Sequence, residues 1–154
     1  INLAAATGGT AVPRGRWVEA EYSAAGTATA YRSDAPLPAD GKFQLVPAGT
    51  ATYKTRIVVR RPRRAADFNG TVVVEWLNVS AGADLPTDWI MAHNEFIRKG
   101  YAYVGVSAQA VGVNNLKTLP RYASLVHPGD SYSYDIFTRA GQRVRSRGIR
   151  RRCG

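Results

Sequence analysis

Two serines and two histidines stand where nucleophilic chemistry is conceivable. Gly105-Val-Ser107-Ala-Gln109 follows an apolar run and departs from the turn pattern G-x-S-x-G only in its last residue. That pattern lifts a serine hydroxyl off a strained strand-to-helix turn and needs small neighbours so that the two elements can meet. Gln109 is not small, and residues 110–115, Ala-Val-Gly-Val-Asn-Asn, do not read as the start of a helix. No Asp or Glu lies between Ser107 and His127, so the order serine, acid, histidine cannot be filled. Asn78-Val-Ser80-Ala-Gly82 is the sharper rival, because Asp84 or Asp88 and then His93 or His127 follow it. Pro86 interrupts any helix begun at Ser80, and His93 falls on an apolar helix face, where a core histidine is the commoner outcome. Ser80 and Ser107 therefore stand as disfavoured nucleophiles.

Other chemistries find less support. Cys153 is the only cysteine, which excludes an internal disulfide and a thiolate metal cluster. No metal-ligand spacing, phosphate loop or dinucleotide fingerprint occurs, so no metal and no cofactor are expected. The net charge of +10 invites a nucleic-acid reading, but it is unevenly spread. Residues 1–138 hold 14 Lys or Arg against 11 Asp or Glu, whereas residues 139–154 hold seven Arg and no acid. No aromatic residue follows Phe137, so that tail has no platform for stacking on bases. A disordered extension, or a stretch replacing the proper continuation, is favoured over a basic-tail nucleic-acid binder. No apolar run approaches the roughly 18–20 residues needed to span a bilayer. The chain begins at Ile1 without an initiator Met, so the lack of a targeting segment leaves localisation open.

The positioning elements come from periodicity. Trp17–Tyr22 alternates, with Trp17, Glu19 and Glu21 on one face. Residues 33–50 are rich in Pro, Gly and Asp and read as a loop. Tyr53, Thr55, Ile57 and Val59 alternate against Lys54, Arg56 and Arg60, which reads as a half-buried strand with one wet face near a sheet edge. The run Arg60–Arg64 reads as a solvated connection. Thr71–Leu77 is apolar on both faces apart from Glu75, as in a strand buried within a parallel sheet. Trp89, Ala92, His93, Phe96 and Ile97 recur at helical spacing, with Asp84 or Thr87 as caps, and Gly100 sits where a helix stops. Tyr101–Ser107 is a second apolar strand, completing a right-handed βαβ unit. Residues 108–132 read as loop, and Asp130 or Ser131 caps a second helix on which Ile136, Phe137, Ala140 and Val144 share a face. The domain reading is a flexible arm over 1–15, one α/β domain over 16–145 and an Arg-rich tail over 146–154.

Phe68–Val79, Arg98–Ser107 and Leu125–Phe137 resemble a bacterial α/β-hydrolase-domain family, with the resemblance running from about Trp17 to Arg145. It implies an incomplete α/β-hydrolase fold: N-terminal antiparallel strands, the βαβ unit and a second helix. In that fold the second helix leads to a strand ending in the nucleophile elbow. Here the sequence becomes Arg145-Ser-Arg-Gly-Ile-Arg-Arg-Arg-Cys-Gly154, so the resemblance implies a fragment that stops before the nucleophile. The family activity it implies is hydrolysis of a carboxylic ester or related acyl compound, with a small-molecule acyl substrate. This chain alone is expected to be inactive. The loop after the first parallel strand supplies a backbone oxyanion donor in the family fold, so Asn78, Val79 and Ser80 are the candidates, and His127 is a candidate pocket wall. An apolar strand edge left unpaired points to self-association. A non-catalytic interaction module on the same core is the alternative.

Overall fold

The computed structural model describes residues 12–147. Long alternating stretches rich in Val, Ile, Thr and Tyr suit a pleated surface, and they form β1 (Trp17–Arg32) and β2 (Val46–Pro62). The two pair antiparallel along their length, Trp17 opposite Pro62 and Arg32 opposite Val46, with one irregularity between Ala30 and Tyr31. Next come β3 (Val72–Trp76), α1 (Thr87–Lys99), β4 (Ala102–Val106), α2 (Ala110–Leu116) and α3 (Ser133–Arg147). The sheet order is β1-β2-β4-β3. β4 runs antiparallel to β2 and parallel to β3, with Val72 opposite Ala102 and Trp76 opposite Val106. This mixed sheet with helices is an α/β fold, as the sequence implies.

The ends of α1 show how local chemistry sets the βαβ geometry. Neither Asp84 nor Thr87 caps the helix; its N-cap position is Pro86, which makes no side-chain cap bond. The cap comes instead from the strand, because Glu75 accepts the Asp88 amide at 3.0 Å and the Trp89 amide at 3.3 Å. A carboxylate there answers the unpaired N–H groups and the positive end of the helix dipole. At the other end Gly100 takes φ +70, and a Cβ there would overlap the Asp67 carbonyl oxygen. Asn69 closes the joint, donating from Nδ2 to the Lys99 carbonyl at 2.7 Å.

The two faces of the sheet are covered differently. On one, Val104 and Val106 of β4 and Ile57 of β2 pack with Ala140 of α3, and Val72, Val74, Trp76, Phe137 and Val144 pack against them. Ile136 joins Ala28 and Tyr53 farther along β1 and β2. The helical face expected on α3 is therefore the one that docks. On the opposite face α1 brings Trp89 against Trp17 and Tyr103, while α2 and the segment behind it bury Val113, Leu116, Tyr122 and Leu125 together.

Several expectations are corrected. β1 extends to Arg32 and β2 begins at Val46, so the connection is shorter than residues 33–50. The stretch 108–132 is not a plain loop; it holds α2 and 3-10 turns at Pro120–Tyr122 and Asp130–Tyr132. Residues 110–115 do enter a helix, contrary to the sequence reading. β2 is interior, and its supposed wet face is buried at Arg56, 1% exposed, and Arg60, 0% exposed, while Lys54 on that face is only half-buried. The basic run is thus solvated only beyond Arg60. β3 lies at the sheet edge among the described residues, and Val72, Val73, Val74 and Trp76 are only half-buried. Of the expected arm, Val12 packs near Trp17 and the Gly15 carbonyl accepts Arg63 Nε at 3.0 Å; residues 1–11 and 148–154 lie outside the described residues. No described helix is long and apolar enough to cross a membrane.

Candidate functional site at the carboxyl ends of β3 and β4

Parallel strands deliver their following loops to one end of a sheet, where ligand sites of open α/β folds gather. Here those loops are residues 77–86 after β3 and residues 107–109 after β4. The first is pinned at its neck by two backbone bonds, Asn78 N–H to the Leu85 carbonyl at 3.0 Å and Leu85 N–H to the Asn78 carbonyl at 2.8 Å. The Asn78 side chain accepts the Ser80 amide at 2.9 Å, and the Val79 carbonyl accepts the Gly82 amide at 2.9 Å. The amides of Asn78 and Ser80 are thereby used inside the loop. The amide of Val79 has no hydrogen-bond partner among the described residues.

A buried ionic latch holds the base of this loop. Asp84 accepts from Arg56 Nη2 at 2.8 Å and from the Ser107 hydroxyl, and Arg56 Nε reaches Ser107 Oγ at 3.2 Å. Arg56 also faces Glu21, Nη1 to Oε1 at 3.6 Å, and Glu21 in turn accepts from Tyr122 and Arg121. Burial pushes the Asp84 carboxyl up, with Arg56 and Ser107 pulling against it. Oδ1 of Asp84 is buried without a hydrogen bond, and α2 reaches it only because residue 112 is glycine; a Cβ there would overlap that oxygen. Ser107 is thus fully buried, donating to one side chain and accepting from another.

Around the β4 end, Trp76 Nε1 donates to Gln109 Oε1 at 2.9 Å, and Asp130 Oδ1 accepts the Ala110 amide at 2.8 Å. Asp130, expected to cap α3, thus accepts the first amide of α2 instead, and toward α3, among the described residues, it takes only the Ser133 hydroxyl, at 3.1 Å. His127 pairs Nε2 with the Ala108 carbonyl at 2.8 Å, and its Nδ1 accepts the Gly129 amide at 3.2 Å. With Nδ1 accepting, Nε2 is the nitrogen placed to donate to the Ala108 carbonyl. His93 lies on α1, its Nδ1 against the carbonyls of Trp89 and Ile90 at 3.1 Å. Ser80 is exposed. The fold thus groups Asn78, Val79, Ser80, Ser107 and His127 at the ends of adjoining strands, but among the described residues no serine hydroxyl is bonded to a histidine. No group of His, Cys, Asp and Glu among those residues is arranged to hold a metal ion.

The sequence reading missed Arg56 and the joining of Asp84 to Ser107. A signal was present: Glu19 and Glu21 share one face of β1, and Arg56 and Arg60 share one face of β2. Opposite charges at matching parity on neighbouring strands identify a paired ionic face.

The model of the alpha/beta hydrolase domain family matches residues 2–151, and the chain belongs to that family. The match is wider than the Trp17–Arg145 span of the resemblance. Neither the curated proteins nor the solved structures compared with the chain gave a match.

Proposed function

We propose that residues 12–147 are the front part of an acyl-ester hydrolase, building its sheet and one wall of its site without supplying the nucleophile. The state of the serines carries this reading. Ser107 directly follows β4 at the position of a near-elbow motif, yet its hydroxyl is locked between Asp84 and Arg56 in a fully buried place. Ser80 is open to solvent but meets neither imidazole, since His127 uses both ring nitrogens on backbone groups. A serine hydroxyl without a base is a poor nucleophile at neutral pH.

The contribution of this chain to catalysis is then the loop after β3. Of Asn78, Val79 and Ser80, Val79 is the oxyanion donor in this reading, because its amide alone is uncommitted. A preorganised N–H there would stabilise charge that develops only in the transition state, an effect of about 3–4 kcal/mol per donor. His127 fixes the loop behind β4 and acts as a wall. The substrate is a small acyl compound of the carboxylic-ester class.

The test is turnover of a p-nitrophenyl ester by the purified chain. Near-background hydrolysis is expected, on the order of a million-fold below a complete triad enzyme. Rapid turnover abolished by Ser80→Ala or Ser107→Ala would overturn the reading.

A second reading, association through a strand edge, is favoured by β3. Its outer side has no partner strand among the described residues, and Val72, Val73 and Val74 offer none of the charges, prolines or bulges that shield such edges. Sedimentation velocity should show mass rising with concentration; a monomer across the range removes this reading. Nucleic-acid binding is less supported, because Arg139 is tied to Asp135 and Arg143 to the Ala25 carbonyl.

A further inference from the structure

Lys54 lies on β2 one residue before the fully buried Thr55 and two before Arg56. Its backbone makes a reciprocal pair with Val126, N–H to carbonyl at 2.9 Å and carbonyl to N–H at 2.8 Å. This bridge holds the segment after α2 against the strand and leaves a cleft of about 250 Å³ between them. Lys54, Arg56, Arg121, Tyr122, Ser124 and Glu21 line it.

The charges in this cleft do not balance. Glu21 is the one acid on its wall, and it is already engaged by Tyr122 at 2.7 Å, by Arg121 and by Arg56 at 3.6 Å. Arg56 is further held by Asp84. The Lys54 ammonium reaches only the Ser124 hydroxyl, at 2.8 Å, and has no carboxylate partner among the described residues. An ammonium offers three donors, and a hydroxyl accepting one of them keeps a proton to give to an incoming oxygen. Arg121, 36% exposed on its side chain, closes the same cleft with a guanidinium suited to oxyanions.

We infer that this cleft is a binding site for a small oxyanion, carboxylate or phosphate, held by Lys54 and Ser124 with Arg121 at its rim. The cleft shares Arg56 and Glu21 with the latch beneath the β3 loop, but the inference does not depend on the reading proposed for ester chemistry. The experiment titrates the full chain with inorganic phosphate, and separately with acetate, at constant ionic strength, following amide chemical shifts. Saturable shifts centred on residues 54 and 121–125 are expected. Phosphate binding alone assigns a phosphate ligand, and acetate binding alone assigns a carboxylate. Lys54→Met should weaken binding about tenfold, the loss of one charge-assisted contact. Ser124→Ala should weaken it less, and Lys42→Met, on the exposed connection between β1 and β2, should leave it unchanged. Unsaturable shifts, or equal weakening by Lys42→Met and Lys54→Met, would overturn the site in favour of diffuse attraction to a basic protein.

Discussion

The two faces of the sheet bury their side chains by opposite means. Toward α3 the contacts are Val, Ile, Ala and Phe against one another. Toward α1 and α2 the sheet carries Glu19 with Arg60 at 2.5 Å and the Glu21–Arg56–Asp84 chain, and Arg60 lies over the Trp89 ring at 4.6 Å. An apolar face tolerates exchange among shapes of similar volume. An ionic face tolerates none of its members being removed singly, because each charge is dehydrated and depends on its partners. The loops of the candidate site hang from the ionic face, through Asp84 and through Glu75. Position is thus fixed by charges where the chemistry would be, alongside apolar contacts that both faces contribute.

The largest break in this comparison is Arg56→Met. It strands Asp84 in a dry setting, while Glu21 keeps Arg121 and Tyr122, and should cost about 3–5 kcal/mol in chemical denaturation. Adding Asp84→Leu should recover much of that loss, since replacing a buried pair by apolar groups is often neutral. A double variant as unstable as the single would contradict the assignment of the cost to uncompensated charge. Gly112→Ala comes next. Glycine to alanine within a helix ordinarily stabilises by up to about 1 kcal/mol, but here the methyl group displaces the Asp84 carboxylate. We expect a loss of about 2 kcal/mol from overpacking, and a gain would place α2 farther from Asp84 than described.

The smallest effect sharpens the contrast between two aspartates. Asp135 at the start of α3 accepts the Thr29 amide at 2.7 Å and Arg139 at 2.8 Å. Burial raises its affinity for a proton, but these donors outweigh it and hold the carboxyl below the usual range. Its contribution is present above the ordinary aspartate value of 3.8 and is lost as pH falls through the depressed one. Asp84, shifted upward, has the reverse slope: its contribution is full below 3.8 and declines as pH rises toward its folded value. Asp135→Asn should therefore flatten the acid limb of the stability curve and cost roughly 1.5 kcal/mol at neutral pH. An unchanged acid limb, measured by denaturation between pH 3 and 7, would show that Asp135 is not held as described.

Much of this architecture is legible in the residues. Helix α1 runs over Thr87–Lys99, the span its 3.6-residue period and Gly100 indicate, because periodicity and a left-handed stop are local signals. Helix α2 is not legible. Ala-Val-Gly-Val-Asn-Asn-Leu is short, contains Gly and two Val, and has poor helix propensity. It is held from outside, by Asp130 on the Ala110 amide and by Val113 and Leu116 packed on Tyr122 and Leu125. Arg56 and Arg60 mislead for a related reason. Alternating charge marks a solvated face unless the opposing strand brings the matching acids, and register is a property of the pair rather than of either strand. At the candidate site, Asn78, Val79 and Ser80 come from the family resemblance, which places an oxyanion donor in the loop after β3. The choice of Val79 depends on which amides the folded loop consumes, which no local pattern encodes.

The buried charges facing α1 and α2 also have a thermal consequence. Charged groups lose hydration free energy as water warms, so the penalty for keeping them dry shrinks, while the return from burying hydrocarbon levels off. Warming therefore moves weight from the Val and Ile layer beneath α3 to the arginine–carboxylate layer opposite. The side that gains is the one from which the β3 and β4 loops are suspended.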